Sequence, residues 1–276
     1  MVLGIAQDGG HPQAGCHAAC CAPTAGHHLP ASLGLIDGDS RWIIDATPAF
    51  PEQLARLDAL APRTTGPPVD GVLLTHAHVG HYAGLVHLGR EVMGANGVPV
   101  YAMPRMAGFL RDNGPWSLLV QLANIALRPV VAGEAVSLGD HLRATPTLVP
   151  HRDEFSETVA WTIQGPSGSV LWLPDLDAWD RWDRDLAAVL AGVTTAYVDG
   201  TFFADGELAR DMSVVPHPRV QETLAKIAGL PAAERAKIHF VHLNHTNRAL
   251  DASSPQHAAV RAAGSFVAVE GETTPL

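Results

Sequence analysis

The sequence predicts a layered α/β protein, with sheets packed inside and helices outside. Three observations carry that expectation. Short β-like runs bounded by Gly, Pro and Asp recur throughout, helical patterns fall between many of them, and neither an internal repeat nor a low-complexity tract interrupts the chain. In chain order the β-like runs lie at 2–6, 32–36, 42–45, 71–75 and 98–102, then at 142–147, 159–164, 170–173, 195–199, 238–243 and 266–269. Each is a short apolar or β-branched stretch with an explicit stop, such as Asp8-Gly9-Gly10, Asp37-Gly38, Pro174-Asp175 or Asp199-Gly200. Helical patterns occupy 52–59, 81–92, 105–113, 116–123, 186–191, 218–228 and 255–262. Pro218 and Pro255 suit the first turn of theirs, where a missing N–H costs nothing. The strands divide into two similar halves near residue 140, and candidate ligands come from both, so residues 1–276 are read as a single domain.

Composition narrows the function classes. A chain of 276 residues with 47% apolar and 17% charged residues can bury a sizeable core, which excludes a disordered protein. Eighteen Lys and Arg against 28 Asp and Glu give a net charge of −10, which argues against nucleic acid as a partner. No apolar run reaches the roughly 18–20 residues of a membrane span, and the first residues carry no basic, apolar leader, so the expected location is cytoplasmic. The unusual counts are 15 His and 3 Cys, which point to metal chemistry.

The sharpest motif is Leu73-Leu74-Thr75-His76-Ala77-His78-Val79-Gly80-His81, an apolar strand running into three histidines. In extended backbone His76 and His78 point the same way, so both imidazoles can meet one cation, and His81 at the start of the next helix reaches a point close by. Catalytic zinc sites use about three protein ligands and keep one position open.

This segment resembles the His-x-His-x-Asp-His signature of the metallo-β-lactamase fold superfamily, whose later landmarks follow in order over about residues 71–245. The resemblance implies a four-layer αββα sandwich with two mixed sheets and outer helices. It implies that His151 completes a first metal site with His76 and His78, that Asp175 bridges two metals, and that His242 joins His81 in the second. One position departs from the family. Gly80 stands where the family has an aspartate, so the second site keeps only His81, His242 and a share of Asp175, and a mainly mononuclear centre is expected. Asp153, Glu154 and Glu157 are candidate replacement carboxylates.

Cys16, Cys20 and Cys21 are too crowded for a disulfide framework, and three thiolates lack the fourth ligand of a tetrahedral structural zinc. His245, three residues beyond His242, is the candidate. This pairing resembles a superfamily branch that includes a quinone-cofactor biosynthesis protein and a phosphonate-pathway cyclic phosphodiesterase, members of which carry an N-terminal zinc loop. By that resemblance His217 sits near the leaving group as a proton donor, while Asp199, at a strand end beside the site, orients a ligand imidazole. Tyr101, Met103, Arg105 and Trp116 either line a pocket over the metal or pack the core.

The leading function is a metal-dependent hydrolase of a small-molecule ester, lactone or phosphodiester, with one structural zinc and one or two active-site zincs. A non-haem iron oxygenase of the quinone-cofactor type is the alternative, with iron or manganese as other active-site metals. A non-catalytic metal-stabilised binding protein is the third reading, and a homodimer is compatible with all three.

Overall fold

The computed structural model describes residues 1–24 and 26–276. Its first sheet holds β1 (Val2–Gly4), β2 (Ser32–Asp37), β3 (Ser40–Ile44), β4 (Gly71–Leu73), β5 (Val98–Ala102) and β6 (Ile125–Pro129) in sequence order. Its second holds β7 (Val136–Leu138), β8 (Leu142–Leu148), β9 (Val159–Gln164), β10 (Ser169–Leu173), β11 (Thr195–Asp199), β12 (Ile238–Val241) and β13 (Phe266–Val267), also in order. Both sheets are mixed. β1, β2 and β3 pair antiparallel and β3 to β6 parallel, while β7 to β10 pair antiparallel and β10 to β13 parallel.

Alternation along single strands shows why four layers form. A strand sends successive side chains to opposite faces, and here both faces are apolar. In β3, Ile43 faces an outer cluster with Phe50, Leu54 and Leu57, while Trp42 and Ile44 face a central cluster with Trp161, Trp172 and Tyr197. In the second sheet Leu171, Val198 and Phe240 face an outer cluster with Leu190, Ile227 and Val260. The outer layers are α1 (Phe50–Leu60), α2 (Val79–Tyr82), α3 (Pro104–Asp112) and α4 (Trp116–Gln121) on one side. α5 (Leu186–Ala191), α6 (Val220–Ile227), α7 (Ala232–Arg235) and α8 (Pro255–Ala262) cover the other. The αββα expectation therefore holds, and among the described residues no helix is long and apolar enough to cross a membrane.

Several local expectations are corrected. The helix expected over 81–92 is the short α2 followed by a 3-10 segment, Ala83–Leu88. Gly84 explains the break, because a β-carbon there would lie 2.1 Å from the Thr47 carbonyl oxygen, so the backbone is drawn against the loop after β3. Strands β6 and β7 escaped prediction because they are short sheet edges, where Pro129 and polar neighbours weaken the pattern without disturbing a ladder on the free side. Pro255 opens α8 behind its Ser254 cap as expected, but Pro218 lies outside α6, which begins at Val220.

Candidate metal centre

The parallel strands end together on one edge, the usual ligand-binding edge of open α/β sheets, and the centre is built from the loops that leave them. Asp45 follows β3, His76 and His78 follow β4, Asp175 follows β10, Asp199 closes β11 and His242 follows β12. His151 arrives from the loop after β8.

A first group consists of His76, His78 and His151. His78 Nδ1 lies 2.8 Å from His76 Nε2 and 3.2 Å from His151 Nε2, so three imidazole nitrogens converge. Their lone pairs repel unless a proton or cation lies between them. Asp175 belongs to two groups at once: Oδ1 is 3.6 Å from His151 Nε2, and Oδ2 is 3.1 Å from His81 Nε2. Asp175 Oδ2 also stands 3.4 Å from His242 Nε2.

The second group contains a residue that sequence reasoning missed. Asp8, from the turn after β1, places Oδ1 3.3 Å from His81 Nε2 and 3.5 Å from His242 Nε2. The expectation of a mainly mononuclear centre rested on a missing carboxylate. That donor count is corrected, because Asp8 forms one group with His81 and His242, and Asp175 Oδ2 approaches the same two imidazole nitrogens. The proposed substitutes do not reach it: Glu154 contacts His78 Nε2, Asp153 contacts Arg105, and Glu157 accepts the Arg105 backbone N–H. The available signal was Gly80 itself, read together with the carboxylate of Gln7-Asp8-Gly9-Gly10.

Behind the imidazoles stands a buried layer that fixes their orientation. His81 Nδ1 is 2.8 Å from Asp45 Oδ2, His151 Nδ1 is 3.0 Å from Asp177 Oδ1, and His217 Nδ1 is 2.8 Å from Asp199 Oδ2. Thr75 Oγ1 contacts His76 Nδ1 at 2.9 Å, and Thr201 Oγ1 contacts His242 Nδ1 at 3.0 Å. Asp199 thus orients His217 directly and His242 through Thr201, whose hydroxyl it accepts.

Burial and the neighbouring His81 hold His76 well below the usual histidine range, so its imidazole is neutral at pH 7. Burial alone would also lower His81, but the carboxylates of Asp45 and Asp175 overcome it and raise it well above the usual value. In the cation-free protein this protonated pair stabilises the fold fully below the unfolded value of about 6.5 and ceases to do so as pH rises through the raised folded value. A cation at the second group must displace that proton. Binding at pH 7 is therefore expected to release about one proton, with affinity falling roughly tenfold per pH unit on acidification. Calorimetric titration in buffers of different ionisation enthalpy measures this, and a buffer-independent heat would contradict it.

His217 borders a cleft of about 570 Å³, lined also by Gln7, Arg152, Phe202, Arg210 and Asn244. Burial would lower His217, but Asp199 outweighs it and the group is raised. Tyr101, Met103 and Trp116 take the packing alternative, while Arg105 is exposed and does neither. Arg105 is held by Asp153 and Glu157, Trp116 packs on Tyr82 with ring centroids 4.7 Å apart, and Met103 and Tyr101 join the central core.

A separate group joins Cys16, Cys20, Cys21 and His245, whose ligand atoms all lie within 4.8 Å of one another. His245 Nδ1 is buried without a hydrogen-bond partner, and the Cys20 thiol is pushed up to about 11 by burial and the adjacent sulfurs. Three soft sulfurs and one imidazole suit a closed tetrahedral zinc.

Comparisons with known proteins agree with this architecture. Residues 40–240 match the family described as the beta-lactamase superfamily domain. Coenzyme PQQ synthesis protein B of Xanthomonas campestris pv. campestris (strain B100) is 30% identical over 98% of this chain and 97% of its own length. Its namesake from Methylorubrum populi is 27% identical over 100% and 99%. Among solved structures, zinc-bound PqqB from Methylobacterium extorquens superposes with a TM-score of 0.84 at 24% identity, covering 100% of this chain and 99% of that one. A diphosphatase of the PhnP family superposes at 0.69 with 22% identity, covering 99% and 94%.

Proposed function

The chain belongs to the beta-lactamase superfamily, in the branch that resembles coenzyme PQQ synthesis protein B, and from that premise we propose a metal-dependent hydrolase acting on an ester or phosphodiester of an anionic small molecule. The observation that carries the reading is Asp175, whose two oxygens each face a different cluster of imidazoles, as a residue shared by two cations would. His76, His78 and His151 would hold one cation and His81 with His242 the other. Divalent cations bound there would lower the pKa of a water and polarise the scissile bond.

The remaining roles fall to this chain's own groups. His217 lines the cleft with Nδ1 committed to Asp199, and its other ring nitrogen would deliver a proton to the leaving oxygen. Arg152 and Arg210 supply positive charge on that cleft in a chain of net charge −10, which favours a substrate bearing phosphate or carboxylate. Asp45, Asp177 and Asp199 keep the imidazoles in place.

The test is elemental analysis for zinc, iron and manganese before and after mild chelation, followed by assays on phosphodiester and lactone panels. Zinc-dependent hydrolysis that chelation abolishes supports the reading. A protein that hydrolyses neither panel yet consumes oxygen when loaded with iron would replace it with the oxygenase, which the two imidazoles and carboxylate oxygens of the second group favour.

A further inference from the structure

We propose that Asp8, carried on the loop that leads to the cysteines, is a ligand of the second cation and takes the place of the carboxylate that position 80 lacks. The inference rests on the two-cation hydrolase reading and adds a donor from a different part of the chain.

The first observation is steric. A β-carbon built on Gly80 would fall 1.9 Å from Asp8 Oδ1, 2.6 Å from Asp8 Cγ and 2.7 Å from Asp8 Cα. The Asp8 side chain therefore fills the space that any side chain at position 80 would need. Gly80 and Asp8 are two halves of one arrangement, in which the carboxylate is retained and its point of attachment has moved.

The second observation concerns polar atoms without partners. Asp8 Oδ1, His81 Nε2, Asp175 Oδ2 and His242 Nε2 are all buried, and none makes a hydrogen bond. They lie within ion-pair distance, at 3.1 to 3.5 Å, but without hydrogen-bonding geometry. One buried polar group without a partner costs about 1–3 kcal/mol, so two carboxylate oxygens set against the same two imidazole nitrogens call for a cation among them. Zinc bonds of about 2.0–2.2 Å in tetrahedral geometry place ligand atoms about 3.3–3.6 Å apart, close to the spacing seen.

The third observation is how Asp8 is delivered. The Gln7 N–H donates to the Leu243 carbonyl, and the Asn244 side-chain amide donates to Gln7 Oε1, so the Asp8 turn is tied to the residues after His242. The same two segments then reach the cysteine group through Cys16 and His245.

The experiment titrates cobalt(II) and zinc into the full chain, reading d–d absorption and metal content, for wild type, Asp8→Asn, Gly80→Ala and the double variant Asp8→Gly/Gly80→Asp. The expected result is a loss of second-cation affinity of about tenfold or more in Asp8→Asn and Gly80→Ala, with the cysteine-bound metal unchanged. The double variant should recover the affinity to within a few-fold of wild type. If Asp8→Asn binds the second cation as wild type does, the inference is overturned while the two-cation reading stands. If wild type itself takes only one cation at the centre, both fall. A double variant that stays as weak as Asp8→Asn would make Asp8 a loop-shaping residue and also overturn the proposal.

Discussion

His151→Ala is expected to lower kcat/KM by about a thousandfold or more while leaving a folded protein that still holds its cysteine-bound metal. The ring is buried, bridges the first imidazole group to Asp175, and has its Nδ1 fixed by Asp177. A metal acting as Lewis acid contributes several kcal/mol at the transition state, and each 1.36 kcal/mol is tenfold in rate, so losing that metal removes about three orders of magnitude. Folding suffers less. Asp177 keeps Arg181 as a partner, so the stability cost is of the order of 1–3 kcal/mol. Asp177→Asn provides the graded companion, since disturbing the group that orients a ligand typically costs about 10–100-fold in metal affinity. Turnover and metal content measured together decide the matter. Full activity in a well-folded His151→Ala protein would mean that the chemistry lies elsewhere.

What the sequence revealed, and what it hid, follows from how locally each feature is encoded. The strands of the central layers were legible because both faces of each are apolar, as Ile43 against Trp42 and Ile44 shows. The edge strands β6 and β7 were not, because an edge tolerates Pro129 and exposed polar groups. His76, His78 and His81 announce themselves because three imidazoles in six residues leave a buried strand, and the structure brings His151 to His76 and His78, His242 to His81, and Asp175 between the two groups. The orienting layer was mostly hidden. Asp45 and Asp177 have no spacing signature of their own and acquire a role only when the fold sets them behind His81 and His151. Asp8 is the clearest case. Counting ligands along one motif finds a gap at Gly80, and only the fold brings the carboxylate of a distant turn up against it.

Cys21→Ser is expected to lower the thermal midpoint by at least about 5 °C and to weaken the second cation at the centre as well. Among the described residues from 7 to 28, little is regular beyond the 3-10 turn Ala19–Cys21, and the cysteines are only partly buried. Backbone bonds pin the ends, with the Ala6 N–H on the Leu29 carbonyl and His11 and His28 exchanging a pair, but none of the described residues between belongs to the hydrophobic clusters of the fold. A structural metal is the natural staple for such a loop, because its binding free energy becomes folding free energy. For a chain of this size about 1 kcal/mol corresponds to roughly 2–4 °C, so losing even 2 kcal/mol gives a measurable shift. Because Asp8 rides on the same loop, loosening the cysteine group should unseat that carboxylate and lower second-cation affinity, while His76, His78 and His151 keep theirs. Differential scanning calorimetry with zinc counts reads both effects. The Asp8→Gly/Gly80→Asp background separates them: with the carboxylate moved onto α2, Cys21→Ser should still cost stability but no longer cost the second cation. A Cys21→Ser protein with wild-type zinc content and midpoint would remove the cysteine group from the account altogether.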